Sequence, residues 1–292
     1  MDERPDMSVV VVCFRMEREL PRTLLSLARP YQKLDPALRH EVIVIDNGSD
    51  RCPTAEDFAS LNLDLTIRRC SIRSPSPVFA LNEGLALARG DLIGAWIDGA
   101  RLASPGLLAA VHAAAAGHDC PVIAPLNWQI GPQRQHFASA TGYDQAEEDR
   151  IIANSGWPET PYRLFAASTC ETQPGPSGPL LESNALFLRR TAWDRLGGYD
   201  TAFDEAGGGV ANPDTLIRAA GLPGARLIRI VDEGTFHQFH GGVSTSDTLA
   251  ATTEVQRASR KYYRLRGKPL QPLREPGILY RSHASQPESQ SA

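Results

Sequence analysis

Between Leu81 and Pro105 the pattern of apolar and polar positions changes period twice. Leu81, Leu85 and Ala88 recur at helical spacing, which predicts a helix. Arg89-Gly90-Asp91 ends it, with Gly90 suited to a left-handed cap. Leu92 to Ile97 is a short apolar run with Gly94 inside it, as expected of a buried strand. Asp98 follows directly, so a carboxylate stands where the strand stops. Open α/β sheets bind ligands at the carboxyl ends of their strands. Asp98-Gly99 is also an ordinary turn dipeptide, and only its surroundings give it weight.

Those surroundings repeat the pattern. Ser8 to Phe14 is continuously apolar and β-branched, which suits a strand buried on both faces. Leu20, Leu24, Leu25 and Leu27 give the next stretch an apolar helical face, with Pro21 in an early helical position. Glu41 to Ile45 predicts a second strand, ending in the loop formers Asp46 to Asp50, and Leu63 to Ile67 a third. This order implies a Rossmann-like, mainly parallel α/β sheet flanked by helices. A helix ending at Gly117 and a strand over Pro121 to Pro125 follow. Residues 126–180 are polar and Pro/Gly-rich, and read as an irregular stretch, either a functional loop or disorder. Further strands are expected at Leu180 to Leu188 and Leu227 to Val231. Helices are expected at Thr191 to Leu196, Thr215 to Ala220 and Thr248 to Arg264. The polar tail HASQPESQSA reads as disordered. The expected division is one domain over 1–248, then a C-terminal helix and tail over 249–292.

Composition narrows the classes. The 292 residues carry a net charge of -4, which does not suggest a nucleic-acid partner. The cysteines, Cys13, Cys52, Cys70, Cys120 and Cys170, are odd in number and lack metal-ribbon spacing. That usage fits a reducing compartment, and a cytoplasmic protein is expected. The acidic start MDERPDM lacks a signal-peptide pattern, and no apolar run reaches the ~20 residues of a membrane span. Peripheral membrane contact stays open. No G-x-S-x-G elbow and no Walker A loop occur.

Asp46 and Asp98 end two strands of one parallel sheet, so both belong to the same edge. Two such acids can divide the holding of a nucleotide: one at base or ribose, the other near the diphosphate, usually through a cation. His237 and His240 follow a later strand, and imidazoles are good ligands for transition metals. Gly241-Gly242 directly after them leaves backbone free to approach phosphate. Trp128, Trp157 and Tyr162 could stack on sugar rings, although packing is the commoner role for each.

The succession SVVVVCF, EVIVIDNGSD, LNEGLALARGD, WIDGARLASP and SNALFLRRTAWDRLGGYD resembles a family 2 glycosyltransferase with the GT-A fold, from about Ser8 to Gly242. The resemblance implies transfer of a sugar from a nucleotide-diphosphate donor, UDP-sugars slightly favoured, to the hydroxyl of a saccharide or other acceptor. It also implies inversion at the anomeric carbon and, by analogy, a place in surface polysaccharide or glycoconjugate synthesis. Carried over, Cys13, Phe14, Arg15 and Asp46 hold the nucleotide, and Asn82 and Arg89 face the donor. A divalent cation, manganese or magnesium, is implied, with Asp98, His240 and His237 as its ligands.

Two departures stand out. The family's D-x-D second acid is replaced by Ala100, with Arg101 beside it. Arg101 could itself neutralise the diphosphate. The family's E-D pair before a helix is replaced by Ala211 and Asn212, and an amide cannot accept a proton as a carboxylate can. Asp214, Glu205 and Asp204 are the remaining candidates for the base, the last two if Gly207-Gly208-Gly209 lets the loop fold back. A non-catalytic nucleotide-sugar-binding protein is the alternative. A nucleotidyltransferase would need a glycine-rich loop after the first strand, which CFRMERELPR lacks.

Overall fold

The computed structural model describes residues 4–133, 142–172, 174–240 and 248–282, with backbone alone for 248–255. Its centre is β1 (Met7–Cys13), which lies parallel to both β2 (His40–Asp46) and β4 (Leu92–Trp96). Being flanked by strands and covered on both faces, β1 has no position left for a solvated side chain. Its alternation divides the core. Val10 and Val12 pack with Leu81, Leu85, Trp193 and Leu216, while Val9, Val11 and Cys13 pack with Leu20, Leu24, Leu107 and Val111. The first set covers the sheet with α2 (Val78–Leu87), α5 (Arg190–Leu196) and α6 (Ala211–Ala220). The second covers the other face with α1 (Glu19–Leu27) and α3 (Leu107–Ala115).

The described residues form a ten-stranded sheet. β3 (Asp64–Arg69) lies outside β2, parallel to it. On the other side of β4 follow β8 (Ala185–Arg189), β6 (Pro121–Ile130), β9 (Arg226–His237) and β10 (Ile278–Tyr280). β8 is antiparallel to both of its neighbours, and the other pairings along this order are parallel. Two short strands lie off this path. β5 (Arg101–Ala103) pairs with β9, and β7 (Ser168–Cys170) with β6, both antiparallel. The result is an α/β fold with a mixed, mainly parallel sheet between helical layers.

Several expectations change. Residues 126–180 are largely ordered by pairing: β6 continues to Ile130, and α4 (Gln145–Asn154) starts on an Asp144 carboxylate that accepts from Glu147 N. The polar residues of β6 hid the strand because they face a polar site rather than a core. β9 is twelve residues long, not five, because a bulge interrupts its period: Pro125 pairs with Ile230, but Leu126 pairs with Gly234. Gly90 is not a left-handed cap. A Cβ there would lie 2.6 Å from backbone atoms of Met7 and Ser8, so close approach of the chain to β1 explains it. The C-terminal stretch is built onto the same body: Ala258 and Tyr262 of α7 (Thr248–Arg266) lie in the core, and β10 extends the sheet. The tail from residue 283, and Gly241 and Gly242, lie outside the described residues.

Candidate active site

At the carboxyl end of β4 the chain turns through Asp98 into β5. The turn is fixed by Asp98 itself, whose Oδ1 accepts from Ala100 N at 3.1 Å. Its Oδ2 takes two bonds from Arg101, from Nε at 3.0 Å and Nη2 at 2.9 Å. β5 runs beside the end of β9 with Arg101 opposite His237, and Gln238 N donates to Ala100 O at 2.7 Å. This pairing carries His237 Nε2 to 3.9 Å from Asp98 and to 3.1 Å from His240 Nε2. One ligand atom from each of Asp98, His237 and His240 lies within 4.8 Å of the others.

A second ring of polar groups stands behind them. His237 Nδ1 lies 3.2 Å from Gln129 Oε1, and the amide nitrogens of Gln129 and Asn127 both donate to Glu171. Asn127 Oδ1 in turn accepts from Arg101 Nη1 at 2.6 Å. One carboxylate therefore orients two amides, and the amides orient Arg101 and His237. Burial works against the charge on Asp98, but Arg101 and the imidazoles outweigh it and hold its carboxyl well below the usual range. Burial and then Arg101 push His237 well below the ordinary imidazole value, against the pull of Asp98, so it stays neutral. A neutral imidazole beside an ionised carboxylate is a donor set that fits a divalent transition metal.

The segment between the histidines is clamped from α4. Glu148 Oε2 accepts from Phe239 N at 2.5 Å, and Arg18 Nη1 donates to Phe239 O at 3.2 Å. Arg18 also bonds Glu148 Oε1 at 3.1 Å. Burial pushes the Glu148 carboxyl up to about 7, opposed by the Phe239 N–H and Arg18.

Beside this centre, a pocket of about 270 Å³ opens at the ends of β1 and β2, lined by Cys13, Met16, Leu20, Ser49, Arg51 and Phe58 among others. It adjoins the Asp98 turn, because a Cβ on Gly99 would lie 3.2 Å from Cys13 Cβ and Met16 Sδ. Phe14 is exposed next to it, and Arg15, with φ of 53°, donates its N–H to Ser49 Oγ at 2.7 Å. Burial and then Asp46 push the Cys13 thiol up, so it stays protonated.

Other residues named from the sequence are engaged within the protein. Asp46 is fully buried and serves its own loop: it accepts from Ser49 N at 3.2 Å and pairs with Arg69 at 3.5 Å. Arg89, expected to face the donor, lies away from the Asp98 turn. It precedes β4, at the amino edge of the sheet, and pairs with Glu41 at 2.8 Å and Asp64 at 2.9 Å. Asn82 ties Tyr199 through both its N–H and its carbonyl. Arg101 is 4% exposed and its guanidinium is committed to Asp98 and Asn127. Asp214 is buried between Arg218 at 2.7 Å and Arg266 at 2.6 Å, and offers no free oxygen to an acceptor. Asp204 and Glu205 both pair with Lys261. The aromatics have packing roles: Trp157 bonds Tyr31, Tyr162 bonds Glu233, and Trp128 packs edge-on to Phe165.

Sequence reasoning missed Gln129, Asn127, Glu171 and Glu148, and it missed the segment ahead of β8. Because β8 is antiparallel to β4, with Ala185 opposite Trp96, its beginning meets the end of β4 beside Asp98.

The profile of glycosyl transferase family 2 matches residues 8–170. The chain belongs to this family. No curated protein matches it. Among solved structures, S. aureus TarS 1-349 is similar over 88% of this chain and 65% of its own, with 15% identity and a TM-score of 0.54. Its complex with UDP aligns over 90% of this chain and 74% of its own, with 14% identity and a TM-score of 0.53. The complex with UDP-GlcNAc gives 15% identity and a TM-score of 0.52, over 88% of this chain and 66% of its own. At such identities the likeness is one of fold, and the fold is GT-A. This family 2 chain thus spans about two thirds of the TarS 1-349 length. Among the described residues no helix is long and apolar enough to cross a membrane, and the five cysteines are free thiols.

Proposed function

We propose that this chain is a glycosyltransferase that moves a sugar from a nucleotide-diphosphate donor to an acceptor hydroxyl. The observation that carries the reading is the convergence of Asp98, His237 and His240 beside the pocket at the ends of β1 and β2. The nucleoside half of the donor would sit in that pocket, against Cys13, Ser49 and the exposed Phe14, and the diphosphate would then lie toward Asp98. UDP is the favoured nucleotide, since the similar TarS binds UDP and UDP-GlcNAc.

Asp98, His237 and His240 would hold a divalent cation, manganese before magnesium because imidazole is a softer ligand than water or carboxylate. When bound, the cation supplies positive charge that stabilises the leaving diphosphate. The chain's own residues prepare this. Gln129 fixes the His237 ring, Arg101 keeps Asp98 ionised, and Glu148 with Arg18 sets the position of Phe239 between the histidines. Inversion at the anomeric carbon by direct displacement is the proposed course. A saccharide hydroxyl in glycoconjugate or surface polysaccharide synthesis is the proposed acceptor, with the reaction in the cytoplasm, where free thiols persist.

A non-catalytic nucleotide-sugar binder is the second reading. It draws on Asp214, Asp204 and Glu205, each already engaged by a basic side chain. Release of nucleoside diphosphate from a panel of UDP-, GDP- and dTDP-sugars, with manganese and with magnesium, separates the two. Turnover supports the enzyme. Tight nucleotide binding without any turnover supports the binder.

A further inference from the structure

The basic side chains of α7 fall into two sets, one neutralised by the body of the protein and one turned away from it. We infer that the outward set, with Tyr263 between its members, is a docking surface for an anionic lipid bilayer. The inference stands on this helix and the turn after it, and does not depend on the transfer reading.

The inner side of α7 is spent on the protein itself. Ala258 and Tyr262 lie in the core. Lys261 pairs with Asp204, and with Glu205 at 3.0 Å. Arg266 bonds Asp200 and Asp214, each at 2.6 Å. These pairs fasten the helix to the body and fix which of its sides faces outward.

The outer side is built differently. Arg260, Tyr263 and Arg264 stand at i, i+3 and i+4 spacing, so they share one side of the helix. With Ser259, and with Pro269 and Leu270 of the turn that follows, they line a groove of about 580 Å³. Tyr263 is 57% exposed. Arg260, Arg264 and Lys268 have no hydrogen bond or ion pair among the described residues. This combination matches the headgroup region of a bilayer. Guanidinium groups take phosphate oxygens while their stems lie along apolar surface. A tyrosine ring sits at the boundary, its apolar body toward the acyl chains and its hydroxyl in water.

Charge over the whole chain favours the same partner. From Gln256 to Ser282 there are eight lysines and arginines and one acid, Glu275, in a protein whose net charge is -4. The rest of the molecule is therefore acidic. An anionic surface attracts this segment and repels the remainder, which orients the protein as it docks. Other partners match less of the face. Two copies meeting through it would set like charge against like charge. A nucleic acid supplies phosphates, but no apolar layer for Pro269 and Leu270.

The test floats the full chain with vesicles of phosphatidylcholine alone, and with vesicles of phosphatidylcholine and phosphatidylglycerol in equal parts. Wild type should rise with the anionic vesicles, stay behind with the neutral ones, and be released as salt is raised. A basic side chain near an anionic surface favours binding about fivefold, so Arg260→Gln, Arg264→Gln and Lys268→Gln together should weaken vesicle partitioning roughly 100-fold. This triple variant should keep the wild-type Tm, because none of the three side chains has a partner to lose. Tyr263→Ser should weaken partitioning at unchanged net charge. Equal binding of wild type to both vesicles, or binding to neither, overturns the inference whatever the variants do. So does a triple variant that binds as wild type does. A wild type that stays off the anionic vesicles but binds a DNA duplex, or forms a dimer that the triple variant abolishes, assigns the face to another partner and overturns it as well.

Discussion

His237 Nδ1 meets Gln129 Oε1 at 3.2 Å, and this contact sets which nitrogen of the ring is free. Gln129 directs its amide nitrogen to Glu171, so its oxygen is the acceptor and His237 Nδ1 carries the proton. The lone pair is then on Nε2, the atom 3.1 Å from His240. Losing such an orienting partner typically weakens metal affinity about 10–100-fold. Gln129→Ala should weaken manganese binding by that order, as read from an EPR titration of the free ion. Equal affinity in the variant would show that the ring is held by other means.

Glu148 makes stability depend on pH. Its carboxyl is pushed up from 4.5 to about 7 in the fold, mainly by burial, with Arg18, Tyr143 and the Phe239 N–H facing it. Between these values the native state holds a proton that the unfolded chain has released. The stability from this group is complete below pH 4.5 and is lost as pH rises through about 7. Wild-type Tm should therefore gain from this group on going from pH 8 to pH 5.5, and Glu148→Gln should flatten that gain. An identical pH dependence in both proteins would count against the burial of this proton.

Much of the fold was legible because its signals are local. Val9 to Val12 and Val42 to Ile45 announce strands covered on both faces, and Asp98 announces a strand end. The inner ring was not legible, because it depends on pairings between distant segments. Gln129 meets His237 only through the register of β6 and β9 after the bulge, and Glu171 joins them from β7's end. Arg89 was misplaced for a reason the pattern already contained: a residue just before a parallel strand sits at the amino edge, opposite the residue that follows it. The segment ahead of β8 was missed because β8 was not recognised as antiparallel, and direction alone decides which of its ends meets the Asp98 turn.

Asp214 should act on stability rather than on chemistry. Its fully buried carboxylate joins Arg218 to Arg266, and so fastens α6 to the end of α7. Removing one partner of a buried pair costs about 3–5 kcal/mol. Both arginines are partly exposed, which places the expected loss near the lower end of that range. Urea unfolding of Asp214→Ala should register it, while UDP affinity of the folded variant stays unchanged. A variant of full stability but without turnover would return Asp214 to the active site.

Asp46 should influence the nucleotide through its loop. Its carboxylate accepts the Ser49 N–H, and Ser49 Oγ accepts the Arg15 N–H beside the pocket. Loss of a charged hydrogen bond costs about 1.5–3 kcal/mol. Asp46→Ala should unfold at lower urea concentration and bind UDP roughly tenfold more weakly. If stability falls and affinity does not, the loop is not part of the donor site.

The last question is what neutralises the diphosphate. Two candidates were open from the sequence: a cation on Asp98 and the histidines, or the guanidinium of Arg101. The geometry separates their roles. Arg101 spends Nε and Nη2 on Asp98 and Nη1 on Asn127, and is 4% exposed. A guanidinium so engaged would have to break two or three charged or polar bonds to reach a donor. His237 stays neutral and its Nε2 lone pair faces His240, so this ring can turn to a cation by giving up the 3.1 Å contact between the two imidazoles. EDTA should therefore abolish turnover and weaken UDP binding, and manganese should restore both. His240→Ala should need far more manganese for the same recovery. Arg101→Met should lower manganese affinity without making turnover independent of metal, because it releases Asp98 from its orientation. Full turnover in EDTA, lost only in Arg101→Met, would reverse the assignment and make the guanidinium the acting charge.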